Sequence, residues 1–208
     1  MIRGLVARLL RDTRASVALE TAIILPVVFL MLVGSWETYA YMRATGIVER
    51  TAFTVGDLIA RKSTLIDDAG TSDGDTIGTY YEAAREIARP LDLQGQGALI
   101  LTAIVNTGGG PVISWQRRAP FGMSNATSQI GSEGGPPTLP ADSDFGPPTV
   151  HLGDILIVAE VFHGFRPFVW SRSVWSDAPG QVTLYRRALF LARYGGIESL
   201  SVPGAPGS

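Results

Sequence analysis

A run of sixteen residues without a single charge, Thr21 to Trp36, follows an arginine-rich start and limits what this chain can fold into. Residues 1–15 hold Arg3, Arg8, Arg11 and Arg14 against one acid, Asp12, a local charge of +3 in a chain whose net charge is −2. From Ala15 to Trp36 the only charge is Glu20. As a helix those 22 residues extend about 33 Å at 1.5 Å per residue, against a hydrocarbon core of about 30 Å. The length fits one crossing of a membrane. Arginines before the run and acidic character after it place the N-terminus in the cytoplasm and the C-terminus outside. Composition points the same way. Charged residues make up 17% of the chain, against about 25% in a typical soluble domain, and mean hydropathy is +0.20. Some of the apolar surplus must therefore be buried in something other than a protein core.

The remaining composition excludes several classes. With 208 residues the chain is long enough for a real core, and its hydrophobicity is too high for disorder throughout. Cysteine is absent, which excludes a disulfide scaffold, Cys-ligated zinc, iron–sulfur clusters and thiol catalysis. No basic excess suggests nucleic acid. The 24 glycines and 13 prolines predict a loop-rich region.

Three readings compete for the N-terminal run. A secretory signal peptide has a shorter apolar stretch and a small-x-small cleavage site, for which Thr38-Tyr39-Ala40 is a poor match. A plain uncleaved anchor fits the length but leaves Glu20 unexplained, because a carboxylate within the apolar segment costs about 2.5–3.5 kcal/mol on insertion scales. The third reading accounts for Glu20. Residues 15–26, ASVALETAIILP, follow a short basic leader with a small residue and then an apolar helix. This arrangement resembles the processing site of type IV pilin-like proteins. In the combination of Arg14, Ala15, Val17, Ala18, Leu19, Glu20, Leu25 and Pro26 it is similar to the TadE/TadG-like pseudopilins of the tight-adherence (Flp pilus) system.

The resemblance implies cleavage after Ala15 by a prepilin-type peptidase, which would make Ser16 the new N-terminus and Glu20 the fifth residue. Such sites usually carry Gly before the cut, and this chain has Ala15. The new amine at Ser16 would be cationic near neutral pH. Paired with Glu20 of its own or a neighbouring subunit, it would set helix register in an assembly, since opposite charges attract strongly where water is scarce. Pro26 lacks an amide donor; it either loosens the helix one turn earlier or is a tolerated kink. The implied partners are the membrane, other pseudopilins or the major Flp pilin, and the pilus assembly platform.

Beyond Trp36 the helix is expected to continue to residue 62, with Tyr41, Ile47 or Val48, Ala52, Val55 and Leu58 or Ile59 at steps of three or four. Gly46 and Gly56 weaken it and allow a bend. An acidic loop with Asp67, Asp68, Asp73 and Asp75 misses the spacing of a calcium loop and reads as caps and solvated turns. Residues 76–91 predict a second helix, capped by Asp75 or Thr76 and ended by Pro90. Residues 98–106 and 111–118 flank a Gly-rich turn and predict a hairpin. Residues 119–149 have almost no periodicity and read as a flexible or interacting loop. Residues 154–168 predict a strand, residues 181–194 a last strand or short helix, and the tail is expected to fray. The hairpin ending in Ser-Trp-Gln-Arg and the later strands are also similar, loosely, to the periplasmic part of TadE-like proteins. The chain is too short for a von Willebrand-type domain, so it resembles the short TadE type.

The expected architecture is α+β: a leader (1–15), a transmembrane helix (16–36), its amphipathic continuation (37–62), and an extracytoplasmic domain (63–197) with a second helix and about four antiparallel strands, then a tail (198–208). No constellation for catalysis stands out. His151 and His163 are the only histidines. His163 follows Glu160 by three, which in a strand puts them on opposite faces and argues against a shared metal. No Gly-x-Ser-x-Gly elbow is present. Arg117-Arg118 and Arg186-Arg187 read as solvated strand ends. The expectation is an assembly protein of a bacterial inner membrane with no catalysis, cofactor, metal, nucleic acid or small-molecule substrate. The alternative is an uncleaved, signal-anchored periplasmic scaffold or sensory domain, and an anchored hydrolase is a third class.

Overall fold

The computed structural model describes residues 13–71, 73–139, 149–167 and 180–201, with side chains from residue 17 on. The chain divides into two units, Met1–Met42 and Arg43–Ser208. Helix α1, Thr13–Ala60, is continuous through Pro26. The domain adds α2 (Ile77–Ile87), a single turn α3 (Leu93–Gln96), and strands β1 (Gly97–Asn106), β2 (Pro111–Arg118), β3 (Ile155–Phe165) and β4 (Val182–Leu191). The strands form one antiparallel sheet in the order β2-β1-β3-β4. The α+β class, the second helix and the four antiparallel strands are as expected from the sequence.

Alternation along the central strands builds two layers. Leu99, Leu101 and Ala103 of β1 share a side with Ile157, Ala159 and Val161 of β3, and this side joins the main core with Val48, Ala52, Val55 and Ile59 of α1 and with Tyr80, Tyr81 and Ala84 of α2. Ile100, Ile104, Leu156, Val158 and Phe162 lie on the other side and pack in two smaller clusters. All but the last residue of β3 is buried, which is why its sequence reads as one apolar run. The hairpin turn uses Gly108 (φ 110°) and Gly110 (φ 103°), backbone angles that side chains disfavour.

Several details differ from the sequence expectation. Tyr41, placed in the apolar stripe, is exposed; of Leu58 or Ile59 it is Ile59 that is buried, and Ala44 and Ala60 join the stripe. The helix runs unbroken through Gly46 and Gly56. A Cβ at Gly56 would stand 2.9 Å from Phe190 Cδ2, so the glycine lets α1 approach the sheet closely. Thr76 precedes α2 but makes no capping bond; its hydroxyl donates to the carbonyls of Gly70 and Asp73. The turn α3 had no expectation. It is short, and its cap is Asp92, whose side chain accepts from Gly95 N at 2.8 Å.

The larger differences concern the long loop and the tail. Residues 119–139 form neither helix nor strand, yet Ile130 is fully buried and Ala126 nearly so. Gly134 N and Ile113 N exchange hydrogen bonds with Ile113 O and Gly135 O, so the loop lines the outer edge of β2. Residues 140–148, the rest of that expectation, lie outside the described residues. The tail is tied down as far as Ser201: Trp115 Nε1 donates to Ile197 O at 2.8 Å, and Ser201 bridges to Ile66. Its signal was the isolated Ile197, too short a pattern for periodicity to register.

Candidate functional site

The apolar half of α1 is the most distinctive surface of this chain. Its best window has a mean hydropathy of 2.4 and no residue buried, so the helix is long and apolar enough to cross a membrane. Ile23, Leu25, Phe29, Leu30, Met31 and Leu32 are all more than half exposed. On a soluble domain such a surface would be an aggregation hazard, and it fits burial in lipid or in an assembly. Ala15 and Ser16 lie in the first turn of α1, with side chains outside the described residues. Glu20 is exposed one turn further on, and beside it Thr21 Oγ1 donates back to Val17 O at 2.8 Å. Pro26 stands inside the helix. All four residues of the expected processing and register site thus share one helical segment. The leader arginines Arg3, Arg8 and Arg11 lie outside the described residues.

The residue that sequence reasoning undervalued is Glu160. It is fully buried on the side of β3 that faces the loop. It accepts hydrogen bonds from Ser128 Oγ, from Gln129 N at 2.8 Å and from the Tyr185 hydroxyl at 2.9 Å. Arg187 stands opposite it on β4. Burial, and then the charge of Glu160, push the Tyr185 hydroxyl well above its ordinary range. A buried carboxylate survives only with such a shell of donors. This one clamps the loop onto the sheet. A usable signal was a charge at an apolar position of the alternating series Leu156, Val158, Glu160, Phe162.

The histidines do not meet. His151 is exposed and pairs with Asp154, its Nδ1 at 3.3 Å from the carboxylate. His163 lies on the helix side of β3, opposite Leu184, and burial lowers its pKa below the ordinary 6.5. No three potential metal ligands cluster among the described residues. The acidic loop is occupied by its own chain: Asp67 binds Arg117 through both oxygens, Asp75 pairs with Lys62 at 2.7 Å, and Asp68 and Asp73 accept from Gly70 N and Asp75 N. The Asp75 hydrogen bond raises the Lys62 pKa, and the Asp67 contact does the same for Arg117, which also pairs with Glu133. A polar concavity at one end of the sheet is lined by Gln96, Asn125, Arg166, Gln181 and Thr183. No pair of groups there is arranged as a nucleophile with its base.

No family model, no curated protein and no solved structure matches this chain.

Proposed function

We propose that this chain is a minor pseudopilin-like membrane protein that acts in assembly of a Flp-type pilus or a related secretion filament, through helix packing and without catalysis. One observation carries the reading. Helix α1 is exposed and uncharged on every side over residues 21–32, and from Ala44 it buries one stripe in a folded domain. A single helix serving two surroundings in this way suits a subunit held in a bilayer before it joins a filament. The N-terminus is cytoplasmic in this reading and the domain periplasmic, following the leader arginines. Glu20 supports the processed form, since a cut after Ala15 creates the amine at Ser16 that can pair with it.

The second reading is an uncleaved, signal-anchored scaffold or sensory domain, and Ala15 in place of the usual glycine favours it. N-terminal sequencing of the chain from cells that contain a prepilin-type peptidase separates the two. The pseudopilin reading expects a start at Ser16, a block when Ala15 is replaced by a bulky residue, and loss of filament assembly, with membrane insertion retained, for Glu20→Gln. An intact Met1, or full assembly with glutamine at position 20, leaves the anchor. A reporter fused after Ser208 is expected to be active only in the periplasm.

A further inference from the structure

We infer that Trp36, Tyr39 and Tyr41 form a belt that seats α1 in the lipid headgroup layer at the outer end of its apolar segment, an inference that rests on the membrane-spanning part of the reading above and not on its pilus part. Successive residues of an α-helix are turned by about 100°, so Tyr41 and Tyr39 stand roughly 140° and 300° around the axis from Trp36. Trp36 and Tyr39, roughly 60° apart, thus share one side of the helix and Tyr41 stands on the opposite side, all within about one and a half turns. All are open, at 63% for Trp36, 57% for Tyr39 and 43% for Tyr41, and the Trp36 and Tyr39 rings are 6.1 Å apart.

This distribution distinguishes a lipid layer from a protein partner. A partner helix meets one side, whereas the interface of a bilayer surrounds the whole circumference. Indole and phenol each join an apolar body to one polar tip, which suits the boundary between hydrocarbon and water. The sequence changes character at the same level: uncharged from Thr21 to Trp36, then Glu37 and Arg43. The belt also sets the depth of Glu20. Sixteen residues separate it from Trp36, about 24 Å of helix against about 30 Å of hydrocarbon. Glu20 thus stands roughly 6 Å from the inner boundary, where its side chain reaches toward water and its insertion cost falls.

A one-sided alternative exists on the same helix: a shallow groove lined by Met31, Gly34, Ser35, Thr38, Tyr39 and Met42, into which a second helix could lie. The chain's freedom from cysteine makes the test direct. Single cysteines from position 28 to position 43 of the full-length protein carry a nitroxide label in vesicles of phosphatidylethanolamine and phosphatidylglycerol. Collision with oxygen and with a water-soluble nickel chelate then reports depth. The belt expects oxygen-dominated collisions from 28 to 35 and a crossover to the nickel reagent between 36 and 41 on all sides of the helix. Replacing Trp36, Tyr39 and Tyr41 together by leucine is expected to move that crossover toward the C-terminus by about one helical turn.

A crossover unmoved in the triple leucine variant overturns the belt, as does shielding from both reagents that repeats every three to four residues along one side. Strong nickel collisions at 28 to 35 sink the membrane-spanning reading itself, which is a different failure.

Discussion

The two faces of the sheet are built on opposite principles. The helix side buries aliphatic and aromatic groups against α1 and α2, and its buried titratable groups, among the described residues, are the phenols of Tyr80 and Tyr81 and the imidazole of His163. Among the described residues, the loop side has no helix over it. There Ala126 and Ile130 supply the apolar cover, and Glu160 holds the loop through Ser128 and Gln129 while Tyr185 of β4 donates to the same carboxylate. One face is covered by regular elements that bury many residues at once. The other is covered by irregular chain that needs a charged clamp, because loop backbone has no ladder of its own to satisfy its polar groups.

The sharpest test puts a charge under each cover. Val55 and Ile130 are both fully buried. Val55→Asp leaves an unpaired carboxylate under a helix that cannot move away without losing the main core, and the expected cost is more than about 4 kcal/mol, enough to unfold the domain. Ile130→Asp is expected to cost less, because the loop can lift and hydrate the charge while the sheet persists. Hydrogen exchange of the full-length protein in detergent distinguishes them: global loss of protection for the first, and loss confined to residues 123–139 for the second. Global unfolding by Ile130→Asp would erase the distinction between the faces.

This difference also decided what could be read from the sequence. The helix side was legible because both partners are periodic: steps of three or four along α1, and steps of two along β1 and β3. The loop side was not. Ile130 is one apolar residue in a Gly/Pro/Ser-rich stretch, and Ser128 and Gln129 look like any polar loop. Their role depends on Glu160, 32 residues from Ser128, and on Tyr185, a further 25 residues beyond Glu160, separations that no local pattern reports. Ile197 under Trp115 was missed for the same reason. The N-terminal segment is the reverse case: its charge and hydropathy are local, so Ala15, Ser16, Glu20 and Pro26 stood out without any fold.

The clamp itself provides the next largest effect. Glu160 receives three donors, and in Glu160→Gln the amide offers one acceptor oxygen and a donor that faces donors. The expected loss is about 2–3 kcal/mol, with the Gln129 and Ile130 amides exchanging first. Tyr185→Phe removes one hydrogen bond of the three and is expected to cost about 1 kcal/mol. Thermal unfolding of both variants with exchange read at Ile130 checks the ranking. If Tyr185→Phe costs as much as Glu160→Gln, the contribution of the carboxylate lies in its bond to β4 and not in its hold on the loop.

Two glycines of α1 test the helix side with smaller changes. A Cβ at Gly46 meets nothing within 4 Å, so Gly46→Ala keeps the full gain in helix propensity, about 0.5–1 kcal/mol. At Gly56 the same Cβ would press on Phe190 at 2.9 Å and contact Ala159 Cβ at 3.4 Å. The propensity gain is offset there by displacing the Phe190 ring, so Gly56→Ala is expected to be neutral or destabilising by less than about 1 kcal/mol. Equal stabilisation by both alanines would mean that α1 and the sheet have room to spare at Gly56.

The smallest effect expected is one of pH, and it again separates the faces. Burial disfavours the charged imidazole of His163 and lowers its pKa below 6.5, while the charge of Asp92 acts the other way and only reduces the shift. The buried Nδ1 has no hydrogen-bond partner among the described residues, so no hydrogen bond there rewards protonation. In the unfolded chain the same histidine takes up its proton near 6.5. Between that value and the lower folded pKa the unfolded state binds more protons, and stability rises with pH. The contribution of neutral His163 is thus complete above about 6.5 and is lost as pH falls through the window beneath it. Unfolding of the full-length protein between pH 7 and pH 5 is expected to show a shallow loss that His163→Phe removes, since a ring of similar size cannot titrate. A slope that persists unchanged in that variant would take the acid-sensitive group away from His163 and remove the pH difference between the two faces.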